Sequence, residues 1–190
     1  MLNLVKFFGN CSNNKRCPKS SVFLKLITYF GSSRNIGLRN VQPRKSGTMK
    51  EVNLKIMQRL GLETGYIKEA EKRDHLLKYT PLQEELPKRS MKDSYMEAYI
   101  PLSICTDMQV NYVSAVGTVR LGRLMEQLDM FAVWICQQHV SIPKLPVNEP
   151  LPYTFVTILV DKMTFSKLLP AYNQDIRITG HVSWVGRTSL

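Results

Sequence analysis

Few side chains of this sequence are arranged for nucleophilic catalysis. Its three histidines, His75, His139 and His181, all stand apart from any serine or cysteine nucleophile motif. The chain has no GxSxG sequence, the strand-to-helix turn that presents the serine of α/β-hydrolases. It also has no P-loop, GxGxxG or HExxH motif, so no motif points to phosphate-loop, dinucleotide or zinc-protease chemistry.

The four cysteines predict neither a disulfide framework nor a metal site. Cys11 and Cys17 lie near the N-terminus, while Cys105 and Cys136 stand alone without a CxxC pair. This usage is typical of a protein in a reducing compartment. We therefore expect no metal and no cofactor.

Two carboxylates share a helical face with a glycine. Glu126 and Asp129 follow Gly122 by four and seven residues, which is one and two turns of an α-helix. A helix N-terminus presents unpaired N–H groups to negative charge, and a carboxylate can serve as a general base. The alternative interpretations are structural: a glycine that packs helix against sheet, and acids bonded to a neighbouring backbone group or arginine.

Three arginines are candidates for binding phosphate. Arg120 and Arg123 flank the predicted helix start, and Arg187 follows a possible bend at Gly186. Arginine binds phosphate bidentately. The alternative is that all three are solvated surface residues.

A long helix over Thr118–His139 is predicted to carry this group. Apolar residues recur at helical spacing, and from Leu128 onward the segment is apolar nearly all round. Strands are predicted at 94–101, 154–161 and 174–186, after a helical extension over 49–91. A buried helix between strands favours an α+β fold in which an antiparallel sheet wraps around it.

Nearly all of the net charge of +11 comes from the first 50 residues. Residues 1–50 hold ten Lys or Arg and no acid, whereas residues 51–190 hold the other 16 basic and all 15 acidic residues, a net of +1. We predict that residues 1–48 are a mitochondrial transit peptide, mostly disordered. A basic arm for nucleic acid is the alternative, which the near-neutral remainder disfavours. The longest apolar stretch, Val22 to Phe30, contains Lys25 and is too short for a membrane span, which needs about 20 residues.

Three segments carry a resemblance to a known family. They are Met-Lys-Asp-Ser-Tyr at 91–95, Thr-Val-Arg-Leu-Gly-Arg-Leu-Met-Glu-Gln-Leu-Asp at 118–129, and Gly-His-Val-Ser-Trp-Val-Gly-Arg-Thr-Ser at 180–189. Over about residues 50–190 the chain resembles the mitochondrial double-hotdog acyl-CoA thioesterases, the acyl-CoA thioesterase 9 family. The resemblance implies two tandem hotdog halves, each a helix wrapped by about five strands. Residues 92–190 would be an incomplete first hotdog domain, and this chain alone is expected to be inactive.

The same resemblance implies a function and a site. It implies hydrolysis of fatty acyl-CoA to fatty acid and CoA in the mitochondrial matrix, by hotdog halves that pair or by a homo-oligomer. The N–H of Gly122 would face the thioester carbonyl, and Asp129 or Glu126 would be the base or nucleophile. Arg120, Arg123 and Arg187 would hold the phosphates of CoA. Two alternatives are an inactive truncated product of such a gene and, less favoured, a basic mitochondrial nucleic-acid-binding protein.

Overall fold

The computed structural model describes residues 2–10, 22–29, 42–61, 74–81, 85–140, 142, 144–146, 148–152, 154–163 and 169–185. The strands are β1 (Leu2–Asn10), β2 (Val22–Tyr29), β3 (Arg44–Thr48), β4 (Met96–Ile100), β5 (Thr154–Met163) and β6 (Ile176–Val185). The α-helices are α1 (Met49–Arg59), α2 (Thr106–Tyr112) and α3 (Leu121–His139). Short 3-10 helices span Asp74–Tyr79 and Met91–Ser94.

The six strands form one sheet in the order β3-β4-β6-β2-β1-β5. β4 pairs antiparallel with β6, so that Ala98 lies opposite Ile178. The prediction of an antiparallel sheet is wrong at one edge, because β3 runs parallel to β4. The reason is the connection: α1 and the residues after it lie between the two strands, and a crossover of this kind returns the chain in the same direction.

The core lies between the sheet and α3. Leu128, Phe131 and Ile135 on α3 are at most 2% exposed, and they share one cluster with Ile178 and Ala98 of the sheet. Burying each large apolar side chain contributes about 1.5–3 kcal/mol. The predicted helix over Thr118–His139 is confirmed except at its start, because residues 113–119 form an extended turn instead. The α+β class is therefore confirmed.

α1 belongs to the same core. It begins at a capping box in which Glu51 N donates to Thr48 Oγ1 at 3.3 Å and Thr48 N donates to Glu51 Oε2 at 3.2 Å, which satisfies two otherwise unpaired amides. Met49, Val52 and Ile56 are buried in the α3 cluster.

A second set of contacts also joins α1 to α3. The Arg59 guanidinium lies 4.8 Å from the Trp134 ring centroid, and Trp134 Nε1 donates to Ser46 Oγ at 3.1 Å. α1 therefore packs on α3 and covers part of it with its apolar face. The division into an extension over 49–91 and a domain over 92–190 stays a prediction.

The remaining predicted elements differ in detail. The predicted strands at 94–101, 154–161 and 174–186 correspond to β4, β5 and β6. Of the predicted helical extension over 49–91, residues 62–73 and 82–84 lie outside the described residues, and Asp74–Tyr79 is a 3-10 helix.

The leader also contains regular structure. The structure has β1, β2 and β3 where mostly disorder was expected. The first two segments have a strand-type composition, and their pairing supplies backbone partners to the β6 edge. The assignment of residues 1–48 as a transit peptide stays a prediction.

Candidate functional site

A surface pocket of about 710 Å³ opens at the N-terminal end of α3. Its walls come from the end of α2 and the turn that follows, from the first residues of α3, and from Leu169. Besides Gly122, the lining contains six polar or charged residues: Asn111, Ser114, Thr118, Arg120, Arg123 and Glu126. The pocket therefore combines a helix N-terminus with two arginines and one acid.

The part of the pocket wall that precedes α3 is a tight turn, held by hydrogen bonds within the turn and to the segment before β6. Ser114 N donates to the carbonyl of Thr118 at 2.7 Å, and the two hydroxyl oxygens lie 2.9 Å apart. Gly117 has φ +74°, a conformation that glycine adopts without strain. Val119 N donates to the carbonyl of Pro170 at 2.9 Å, which anchors the turn to the segment before β6. These bonds fix the point at which α3 begins.

The first residues of α3 line the pocket. Arg120 is the N-cap residue, and its side chain does not cap the helix. Gly122 is exposed, and a Cβ at this position would meet no atom of the described residues within 4 Å. Gly47, Gly61 and Gly117 have a positive φ, whereas Gly122 does not. Neither packing nor backbone conformation in the described structure therefore requires glycine at 122, which leaves room for close approach by a ligand.

Arg123 and Glu126 form an ion pair on the rim of the pocket. Both side chains are about half exposed, at 44% and 58%, so solvent screens the pair and it contributes little to stability. The Arg123 guanidinium also lies 6.0 Å from the ring centroid of Tyr112. Burial raises the pKa of Tyr112, and the positive charge of Arg123 opposes that rise.

Asp129 lies outside the pocket lining. Its carboxylate is exposed and accepts a hydrogen bond from the hydroxyl of Thr157 in β5. Asp129 sits on the solvent side of α3, while its neighbours Gln127 and Leu128 are buried. Asp129 is nevertheless on the same helical face as Gly122, two turns along.

The three histidines are not grouped into a catalytic arrangement. His75 is exposed, whereas His181 is buried with its ring edge-to-face against Tyr95 at a centroid distance of 6.0 Å. His139 ends α3 and is half-buried; burial is the main cause that lowers its pKa, the nearby Arg89 lowers it further, and Asp93 opposes both. Burial therefore favours the neutral imidazole at this helix end.

Comparison with known proteins gives the family. The chain is 36% identical over 162 residues to bovine mitochondrial acyl-coenzyme A thioesterase 9, which covers 83% of this chain and 36% of the relative. It is 38% identical over 154 residues to the human protein of the same name, covering 78% of this chain and 34% of the relative. Mouse mitochondrial acyl-coenzyme A thioesterase 10 is 36% identical over 144 residues, 74% of this chain and 32% of that protein. The chain belongs to the mitochondrial acyl-CoA thioesterase 9 family.

This member of the acyl-CoA thioesterase 9 family spans about a third of the length of the relatives it matches. No protein-family model matches the chain. No solved structure matches it either.

The structure brings together most of the site residues that the family resemblance implies. Gly122, Glu126, Arg120 and Arg123 line one pocket. Asp129 is on the same helical face but outside the pocket lining, where its carboxylate accepts a hydrogen bond from Thr157 of β5. Arg120 also lines the pocket, and its guanidinium donates to two carbonyls of α2. Arg187, with Gly186, lies outside the described residues.

Sequence reasoning missed the residues that form the opposite wall. Asn111, Ser114 and Thr118 line the pocket across from α3. A usable signal was present, since a run of small and polar residues around Gly117 directly precedes the helix that carries Gly122. Such a run is typical of a shaped turn.

Two further classes of site are not found in the part of the chain that the structure describes. No group of three or more His, Cys, Asp or Glu side chains there could hold a metal ion. The free thiol of Cys136 is fully buried, and burial raises its pKa, which disfavours the thiolate that metal binding needs. A search of the same residues finds no helix with the length and apolarity to cross a membrane.

Proposed function

We propose that this chain forms the acyl-CoA-binding part of a mitochondrial acyl-CoA thioesterase with a hotdog fold. The observation that carries the proposal is the pocket at the start of α3, which combines a sterically unconstrained Gly122, an uncapped helix N-terminus and Arg123. An acyl-CoA presents a thioester carbonyl and several phosphates, and these groups match N–H donors and an arginine. The names of the relatives give the same substrate class.

In the proposed reaction, water adds to the thioester carbonyl carbon while a carboxylate accepts its proton. The N–H of Gly122 stabilises the oxyanion of the tetrahedral intermediate, which then expels the CoA thiolate and leaves the carboxylic acid. The thiolate takes up the proton, so that acyl-CoA and water become acid and CoA. Each step needs only groups of the chain and solvent.

Asp129 is the better placed of the two candidate bases. Seven residues correspond to roughly 10 Å along the helix, and helical side chains lean towards the N-terminus. This separation between Gly122 and Asp129 leaves space for a thioester carbonyl and one water. The hydroxyl of Thr157 orients it. Glu126 is nearer to Gly122, but the ion pair with Arg123 engages its carboxylate, which makes Glu126 the alternative.

The proposal includes a location and an assembly. Residues 1–48 act as a transit peptide that directs the protein to the mitochondrial matrix. This segment is basic and contains no Asp or Glu, which is typical of such peptides. Paired hotdog halves, within a longer chain or between copies, complete the site. Light scattering of the purified protein tests the second point, because a purely monomeric species of this chain with full activity would contradict it.

The test of the activity is thiol release from acyl-CoA substrates of graded chain length. It should be run on this chain and on a protein of the relatives' full length that contains it. Turnover by either one that is lost in Asp129→Asn supports the proposal. Absence of turnover with every chain length in both proteins would refute it.

A further inference from the structure

The pocket is built between two helices whose ends are joined through one residue. α2 ends at Tyr112, and the carbonyl groups of its last residues lack partners within the helix. The Arg120 guanidinium donates to the carbonyl of Asn111 at 2.7 Å and to that of Val110 at 3.4 Å. The backbone N–H of Arg120 donates to the carbonyl of Tyr112 at 2.7 Å.

Arg120 therefore caps three successive carbonyls of α2 while it is itself the N-cap residue of α3. A cation at a helix C-terminus also interacts favourably with the helix dipole. The hydrogen bonds of an ionised guanidinium are stronger than those between neutral groups. The C-terminus of α2 is consequently held against the N-terminus of α3 at the mouth of the pocket.

We infer that Arg120 is a positioning residue that fixes the pocket by clamping α2 to α3, rather than a ligand of the CoA phosphates. One terminal nitrogen of its guanidinium, Nη2, donates to both carbonyls, which directs the guanidinium towards α2. Arg123 differs, because its guanidinium pairs with the exposed Glu126 and can exchange that partner for a phosphate. The bond to the carbonyl of Asn111 also fixes the position of this residue in the pocket wall.

The clamp predicts a local change in amide exchange. In Arg120→Gln, peptides that cover residues 105–124 should exchange about tenfold faster or more, because two charge-assisted bonds are lost at the junction. Arg120→Lys should be intermediate, because an ammonium keeps the charge but lacks the planar fork. Arg123→Gln is the matched control and should leave exchange in this region unchanged. Unchanged exchange in both Arg120 variants would overturn the inference, and Arg120→Lys alone decides it if Arg120→Gln does not fold.

Titration with CoA at several salt concentrations separates positioning from phosphate binding. This second measurement rests on the proposed function. Arg123→Gln should reduce the salt dependence of CoA affinity, whereas Arg120→Gln should weaken CoA binding without reducing that dependence. Normal exchange together with CoA affinity that Arg120→Lys restores would make Arg120 a phosphate ligand and overturn the inference. If CoA binds to none of the proteins, the proposed function fails, while the exchange comparison still decides the clamp.

Discussion

Replacing Gly122 by alanine separates the needs of the fold from those of the ligand. The added Cβ would meet no described atom within 4 Å, and Gly122 is not in the left-handed region. Alanine at such a position restricts the unfolded chain and should raise the free energy of unfolding by about 0.4–1 kcal/mol. For a protein of this size that corresponds to roughly 1–4 °C in Tm.

The same methyl group would stand where the thioester carbonyl is proposed to approach the helix. Crowding out one oxyanion donor should lower the rate of thiol release by about 10². Gly122→Ala is thus expected to be at least as stable as the wild-type chain and much less active. The measurements are a thermal melt of this chain and the thiol-release assay on a protein of the relatives' full length that contains it, each with and without Gly122→Ala.

Gly117→Ala is the matched control for this substitution. Its Cβ would also meet nothing within 4 Å, but its φ of +74° makes alanine strained. It should therefore lose about 1–2 kcal/mol of stability, the opposite sign to Gly122→Ala. Full activity of Gly122→Ala would refute the close approach of a ligand, and a marked loss of its stability would show that the glycine serves packing.

Four further predictions follow from the same features. Asp129→Asn should lower kcat by about 10² or more with little effect on the melting temperature. Glu126→Gln should lower kcat less. An unchanged rate for Asp129→Asn would move the base to Glu126 or to another part of the assembled enzyme. The pKa of His139 is lowered in the fold, so the unfolded chain binds the proton more readily and the free energy of unfolding should fall as pH drops below about 6.5. Urea titrations should show a smaller fall in His139→Gln than in the wild-type chain. A fall of equal size in both proteins would contradict this. A reporter fused to residues 1–50 should enter mitochondria, and a cytosolic reporter would rule out the transit peptide. Residues 49–190 alone should not form a stable monomer, because β5 pairs only with β1 among the described strands; a cooperative melt of a monodisperse monomer would refute this.

Periodicity was sufficient to predict the parts of the fold that bury one continuous face. α1, α3, β4, β5 and β6 all have the spacing or the β-branched composition of their elements. The start of α3 was placed three residues too early, because helical spacing continues into a segment whose backbone bonds pair Val113 with Val119 instead. Local pattern does not show such tertiary pairing.

The parallel pairing of β3 with β4 could not be predicted for the same reason. β3 is a short segment, Arg-Lys-Ser-Gly-Thr, with no apolar alternation. It becomes a strand because α1 packs on α3 and thereby brings residues 44–48 to the free edge of β4. Only the three-dimensional contact between the helices determines this strand.

The candidate site was predictable only in part. The helical spacing of Gly122, Glu126 and Asp129 placed them on one face, and the structure has them on that face. The direction of the Arg120 side chain was not predictable, because the carbonyls that attract it belong to α2, whose end is fixed by the fold. The same holds for Asp129, whose partner Thr157 is 28 residues away.

The most direct test of the central claim is a structure of the protein with a non-hydrolysable acyl-CoA analogue. The account predicts that the carbonyl oxygen of the analogue lies about 2.7–3.1 Å from the backbone nitrogen of Gly122. It also predicts that a phosphate of the analogue contacts Arg123, while the Arg120 guanidinium stays on the carbonyls of α2. A ligand bound elsewhere on the chain, with the pocket at the start of α3 empty, would contradict it.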